Sequence, residues 1–506
     1  GGLGEGFSAV ETEDGDRVFD IRLSIEKDLT AHQTLGLRSF FREFNSQEVP
    51  TDYYDFLRGK ITAKTLFDNH RRESESAKAK AWLATLGEVS QRTVRKRIDA
   101  ALGEADNWVL IGGPPCQAYS LAGRSRNSGN SDYLPDKDTR QRLYLEFLQI
   151  ITDHWPAVFV MENVKGLLSA TLDNQRIFHN IVEDLGGPAR AVKREGRTLR
   201  RNGRRHGYRI FSLVTSKEVN GNLSDSLIRA ENYGIPQARH RVILLGIRDD
   251  LDQVCPKALT KQTSIPASKV LSDLPKVRSG LSRTEDSPRA WVDNFKNELN
   301  RRWVKGIRKA GGKKLQKRVR RVLKEIVPPE YGRGGEFMSM AAEPEYAREW
   351  FVDPRLDGIC NHSTRGHMSK DLYRYLYAAC FAGIHSHSPS LKDFPPDLHP
   401  NHNNVKLALE GGNFSDRFRV QLGSKPSTTI TSHISKDGHY YIHPDPMQCR
   451  SLTVREAARL QTFPDNYFFM GPRTSQYVQV GNAVPPLLAK QIARIVHEIL
   501  TETGMA

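Results

Sequence analysis

The chain of 506 residues is long enough for two or three domains with sizeable cores, and 26% charged with 38% hydrophobic residues is an ordinary globular composition. No apolar run approaches the roughly 20 residues of a membrane span, and no charged-then-apolar leader opens the sequence, so membrane and secreted classes are set aside and a cytoplasmic location is expected. Lysine and arginine number 75 against 59 aspartates and glutamates, and the net charge of +16 fits a polyanionic partner such as nucleic acid without saying which.

In chain order, the run from Gly1 to Gly6 reads as a glycine-rich turn, followed by a strand from Val18 to Ile25 that ends at Glu26. Residues 49–80 are polar and read as an insertion. Trp108 to Ile111 is a short buried strand running into Gly112-Gly113-Pro114-Pro115. Leu143, Phe147, Leu148 and Ile151 recur at helical spacing, and that helix stops before Pro156. Ala157 to Met161 and Arg241 to Ile247 are further apolar strands. Strands alternating with helices predict a doubly wound α/β sheet.

Two basic segments stand out. Residues 188–209 carry Arg190, Lys193, Arg194, Arg197, Arg200, Arg201, Arg204, Arg205 and Arg209 among glycines. Residues 251–445 lose the βα rhythm and predict a separate, mostly irregular domain. Within it Leu315, Val319, Val322, Leu323 and Ile326 share one helical face, edged by Lys313, Lys314, Lys317, Arg318, Arg320, Arg321 and Lys324. From about 450 helical spacing returns, and Pro485-Pro486 opens a last helix with Leu488, Ile492, Ile495, Val496 and Ile499 inward.

Five cysteines, Cys116, Cys255, Cys360, Cys380 and Cys449, are scattered without a CxxC pair, which argues for reduced thiols rather than a disulfide framework or a zinc knot. His385, His387, His399 and His402 match no metal-ligand spacing with Cys360 or Cys380, so no metal is expected. Cys116 follows a strand end on a proline-stiffened loop, where α/β enzymes hold substrates. It reads either as an activated nucleophile or as a buried structural thiol. Glu162 also closes a strand, so both residues can reach one sheet edge. It could hold a proton against a ring nitrogen, or cap the next helix. Arg239 and Arg241 alternate at a strand start and would project together, toward a phosphate, a base carbonyl or plain solvent. Glu26, at a strand end twenty residues after Gly6, has the spacing of an acid that meets a nucleoside ribose.

Six motifs, GGLGEGF, GGPPCQAYS, MENVKGLLS, YGIPQARHRVILLGIR, RSLTVREAARLQTFPDNY and QYVQVGNAVPP, follow one another from Gly1 to Pro486. In identity and order they resemble the DNA cytosine-5 methyltransferase family. The resemblance implies a Rossmann-like α/β sheet that uses S-adenosylmethionine, with a second, mostly irregular target-recognition domain. Residues 1–250 would be catalytic and 251–445 would recognise the target, with 446–506 returning to the catalytic domain. Cys116 would attack C6 of cytosine, Glu162 would contact N3 and the amino group, Arg241 would hold O2, and Arg239 would support the site or a phosphate. The base must leave the duplex for this chemistry, and Ser120 to Asp132 would close behind it.

The cofactor would lie along Gly1, Gly2, Leu3, Gly4, Glu26, Glu88, Pro114, Leu143, Asn482 and Val484. Gln117, Ser120, Arg124, Arg200, Arg201, Arg204, Arg205, Lys317 and Arg318 would meet DNA, largely through phosphates. The expected partner is double-stranded DNA, the expected state a monomer, and the expected setting restriction-modification or phage defence. The chain starts inside the family's first motif, so a fragment lacking the first strand is the simplest expectation. An RNA cytosine-5 methyltransferase is disfavoured by the large recognition region. A non-catalytic DNA-binding regulator is disfavoured by the intact Cys116, Glu162 and Arg241.

Overall fold

In the computed structural model, which describes residues 1–504 except 46, 115–138, 166–171, 201–205, 220–222, 252, 342, 402–404 and 411–414, the first element is a helix where a turn was expected. Glycine is a poor helix former, yet Gly2–Phe7 is helix α1. A Cβ on Gly2 would lie 1.9 Å from the Val484 carbonyl oxygen, and one on Gly6 would lie 2.4 Å from the Ala489 Cβ. Packing against the last helix therefore overrides propensity. The strand expected at 18–26 shrinks to β1 (Ser24–Glu26), while Val18, Phe19 and Ile21 pack as apolar chain outside any strand, the Val18 N–H donating to the Val10 carbonyl at 2.9 Å. Helix α2 (Leu29–Arg42) follows, capped by Asp28.

The segment at 49–80 is three helices, α3 (Thr51–Leu57), α4 (Ala63–Asn69) and α5 (Arg71–Lys80). Despite its polar look it buries Tyr53, Tyr54, Leu57 and Leu66 in one core with Leu37 and Phe40, and with Leu356 and Cys360 from far along the chain. It leads to β2 (Ala81–Leu83), parallel to β1 in a two-stranded sheet, and to α6 (Gln91–Leu102).

The main sheet uses β3 (Val109–Gly112), β4 (Val158–Val164), β5 (Tyr208–Ser212), β6 (Leu227–Arg229) and β8 (His240–Arg248), in the order β3-β4-β8-β5 with β6 also on β8. The two-residue β7 (Gln237–Ala238) stands apart from it. β3 and β4 are parallel, and β8 runs antiparallel to its neighbours. Val158 to Met161 are fully buried because both sheet faces are covered. Helices α7 (Thr139–His154) and α8 (Leu172–Gly186) cover one face, and α9 (Pro188–Arg194) packs beside them.

Within 251–445, β9 (Gly280–Leu281) precedes α10 (Pro288–Lys296) and the basic helix α11 (Arg302–Glu325), which is kinked at Gly312. β10 (Phe337–Ser339), β11 (Gly358–Cys360) and β12 (Gly366–His367) form short ladders before the long α12 (Ser369–His385), and β13 (Ser427–Thr428) pairs with β7. Helices α10, α11 and α12 enclose a core of their own that includes Trp291, Trp303, Leu315, Val319 and Leu376. The region is thus more helical than its lost rhythm suggested: α12 is apolar nearly all round from Leu372 to Ala382 and shows little periodic contrast.

Another core joins Leu271, Ile359 and Ile430 to α13 (Val454–Leu460) and α14 (Arg473–Asn482), spanning residue 445. The closing α15 (Pro486–Glu502) lays Leu488, Ile492, Ile495, Val496 and Ile499 on the sheet face opposite α7, as its spacing predicts. Among the described residues no helix is long and apolar enough to cross a membrane.

Candidate active site

The sheet brings two of the expected catalytic side chains together at one edge. In the β4–β8 register Glu162 stands opposite Ile243 and Val164 opposite Arg241, so Glu162 and Arg241 are diagonal neighbours on one face. Their ion pair is 2.7 Å long, with both side chains 14% exposed. Gly113 lies against this pair: a Cβ there would sit 2.8 Å from Glu162 Oε2, so only glycine lets the loop after β3 approach so closely. The Asn163 side chain donates to the Pro114 carbonyl at 3.0 Å and ties that loop to β4. Burial pushes the Glu162 carboxyl above its ordinary range, with Arg241 and Arg239 opposing. The loop's next residues, including Cys116, Gln117, Ser120 and Arg124, lie outside those described, as do Arg201, Arg204 and Arg205.

Of the two roles expected of Arg239, its position fits support of the site. It sits in the break between β7 and β8, 2% exposed, and donates to the carbonyls of Ile430 at 2.8 Å and Gly481 at 3.1 Å. It therefore does not project beside Arg241 toward a phosphate. It clamps the segment at 430 and the end of α14 behind the Glu162–Arg241 pair. Gln237, which the sequence did not single out, assists: fully buried, it donates to the Leu460 carbonyl and Gln461 and accepts from the Ile430 N–H. Its signal was a buried amide between two apolar elements, visible only once both are placed.

On the cofactor side, Gly2 touches the Val484 carbonyl. Glu26 accepts from the Asp28 N–H through Oε1. Asn482, at the end of α14, is exposed beside Val484, which is buried. A Cβ on Gly4 would meet only the Arg42 guanidinium, at 4.0 Å. Glycine backbone and a carboxylate at a strand end are groups that suit a nucleoside. Glu88 is exposed in the turn after β2, Leu3 is half-buried on α1, and Leu143 is half-buried on α7. Glu5, also missed by the sequence reading, braces α1 from behind by pairing with Arg38 and Arg42. Burial works against its charge, but the two guanidiniums outweigh it and hold the carboxyl below its ordinary range.

Several of the arginines expected to meet phosphate have protein partners. Arg200 pairs with Asp99 at 3.0 Å, and Arg194 and Arg197 pair with Asp184 and Glu146. Arg318 turns back onto α12, bonded to the Gly383 carbonyl, while Lys317 is exposed. A helix that packs one face on a neighbour leaves its flanking bases to find local partners, and charge runs alone did not separate these from solvent-facing ones.

A family model for C-5 cytosine-specific DNA methylases matches residues 72–187 and 213–498. The chain is similar to the Type II methyltransferase M.Bpa9945I of Bacillus paralicheniformis, 30% identical over 99% of this chain and 97% of that protein. It is 25% identical to the DNA (cytosine-5-)-methyltransferase M.ApeKI of Aeropyrum pernix, over 82% and 86% of the two chains. Its fold matches a prophage-encoded E. coli protein solved by crystallography, with a TM-score of 0.50, 16% identity and coverage of 99% and 97%.

Proposed function

The chain belongs to the C-5 cytosine-specific DNA methylases and is a DNA methyltransferase, and from that premise we propose that it methylates C5 of a flipped cytosine in duplex DNA through a covalent bond from Cys116 to C6. The observation that carries this reading is the Glu162–Arg241 pair at the sheet edge, with the loop that leads to Cys116 held against it.

In this reading the Cys116 thiolate adds to C6 of the ring. Glu162, whose carboxyl burial pushes above its ordinary range, donates a proton toward N3, so that charge developing in the ring is neutralised where it forms. Arg241 turns from Glu162 to the base O2, a carbonyl that its fork-shaped donor suits. Arg239 and Gln237 are positioning residues that hold the 430 segment behind these groups. S-adenosylmethionine, when bound, supplies the electrophilic methyl that the activated C5 takes. Gly1, Gly2, Glu26, Asn482 and Val484 would hold it. Water then takes the C5 proton, the freed electron pair re-forms the C5–C6 double bond as the C6–S bond breaks and the Cys116 thiolate leaves, and N3 returns its proton to Glu162.

Residues 1–250 with 446–506 would form the catalytic part and 251–445 the part that recognises the target. The Type II names of the relatives support a restriction-modification or phage-defence role. Base-resolution methylation mapping of DNA from cells expressing the chain tests the reading: a 5-methylcytosine at one defined sequence is expected, and unmodified DNA would overturn it.

A further inference from the structure

A cleft of about 280 Å³ opens between β12, the start of α12 and the turn at 436–439, away from the Glu162–Arg241 pair. We propose that it seats a backbone phosphate of the DNA duplex close to the methylated cytosine, held by Arg365, Arg417 and Lys436. The inference rests on the reading of duplex DNA as substrate.

The cleft carries an excess of positive charge. Asp371 and Asp437 also line it, but Asp371 is paired with Arg374 at 2.6 Å and Asp437 with Arg417 at 3.2 Å. Arg365 and Lys436 have no carboxylate partner among the described residues. The Nε atoms of Arg365 and Arg417 are buried and lack a hydrogen-bond acceptor there. Both side chains are part-buried and line the cleft, and guanidinium N–H groups suit phosphate oxygens, each of which accepts several bonds. Lys436 is exposed, so an anion can enter from solvent and meet it first.

The position also fits. Arg365 donates to the Ile434 carbonyl at 2.7 Å and lies 4.5 Å above the Tyr477 ring of α14. Ile434 stands in the turn that follows Ile430, whose carbonyl Arg239 holds, and the charge of Arg239 acts on Glu162. Arg365 and Arg239 thus hold two points of one short segment, 430–434, which links the cleft to the base-holding groups. A free phosphate offers the same chemistry as a DNA diester, so the test separates the two.

Binding of the full chain to a duplex carrying its mapped site is measured against salt. Lys436→Ala should lower the slope of log affinity against log salt by about 0.9, the contribution of one phosphate, and Lys436→Arg should restore it. In the wild type, one neutral methylphosphonate linkage near the target cytosine should remove the same increment and remove nothing further in Lys436→Ala. An unchanged slope in Lys436→Ala would overturn the proposal. So would an altered base preference with the slope kept, which marks a base-reading cleft. So would a melting temperature raised by inorganic phosphate in wild type but not in Lys436→Ala together with no methylphosphonate effect, which marks a free-phosphate site. A wild type that shows the expected slope and methylphosphonate effect yet methylates no cytosine overturns the proposed reaction and leaves the phosphate seat standing.

Discussion

Glu162 and Arg241 meet diagonally across two antiparallel strands, carboxylate to guanidinium at 2.7 Å, so that the acid and the cation proposed to hold one base are also each other's partner before the base arrives. An ion pair here keeps both side chains oriented at the sheet edge while leaving each able to exchange its partner for a polar ring atom. In the proposed reading the pair is a preset receptor for a group carrying a donor-seeking nitrogen and a carbonyl side by side.

Burial keeps the neutral form of Glu162 populated to higher pH than an ordinary carboxylate would allow. If that form donates to N3, the single-turnover rate falls as pH rises through the raised value. Glu162→Gln has no proton to lose, so it should abolish that limb and slow methyl transfer roughly 10² to 10⁴-fold with DNA binding kept. Rapid-quench kinetics across pH check this. An unchanged rate in the Gln variant would make Glu162 a structural cap.

Arg239→Ala removes a buried guanidinium and strands the Ile430 and Gly481 carbonyls without their donor. A loss of about 3 kcal/mol of stability is expected, read as a lowered denaturant midpoint with the m-value unchanged. A surface arginine of the kind the sequence suggested would leave the midpoint in place.

Gly2→Ala and Gly6→Ala each push a methyl into backbone or side chain of the last helix and its approach. Each should cost about 1–3 kcal/mol and weaken S-adenosylmethionine binding in a calorimetric titration. Gly4→Ala, with only the Arg42 guanidinium at 4.0 Å, should be tolerated. Equal behaviour of all three would remove the packing argument for the motif.

Acid should destabilise the chain through its buried polar core. Burial holds His362 down to about 4 from an ordinary 6.5. Between those values the unfolded chain binds the extra proton, so stability falls as pH drops from 6.5 toward 4, by on the order of 3 kcal/mol for this group. Glu456 acts in the same direction: Arg450 and His443 outweigh its burial and hold its carboxyl well below the usual range, a stabilisation present above about 4.5 and lost below it. Urea midpoints from pH 7 to 4 check the trend, and His362→Asn should flatten its upper part.

The strands at 109–112, 158–164 and 240–248 and the last helix were legible because apolar runs and 3.6-residue spacing report burial directly. Glu162 and Arg241 followed from them, since strand ends locate a sheet edge. The projection of Arg239 was misread because alternation assumes one unbroken strand, and the chain breaks between Ala238 and His240. The helix at Gly2–Phe7 was hidden because its stability comes from contacts with residues 484–490, which no local window contains. Arg365, Arg417 and Lys436 escaped notice for the same reason: they form no run in sequence and converge only in the fold.

The covalent step is the centre of the account, and trapping it is the most direct test. Duplex DNA with 5-fluorocytosine in the mapped site, incubated with the chain and S-adenosylmethionine, should yield a denaturation-resistant protein–DNA adduct, because the fluorine at C5 cannot leave as a proton. Peptide mapping should place the link on Cys116, and Cys116→Ser should not form it. Trapping by Cys116→Ser as efficient as that of the wild type would contradict the account.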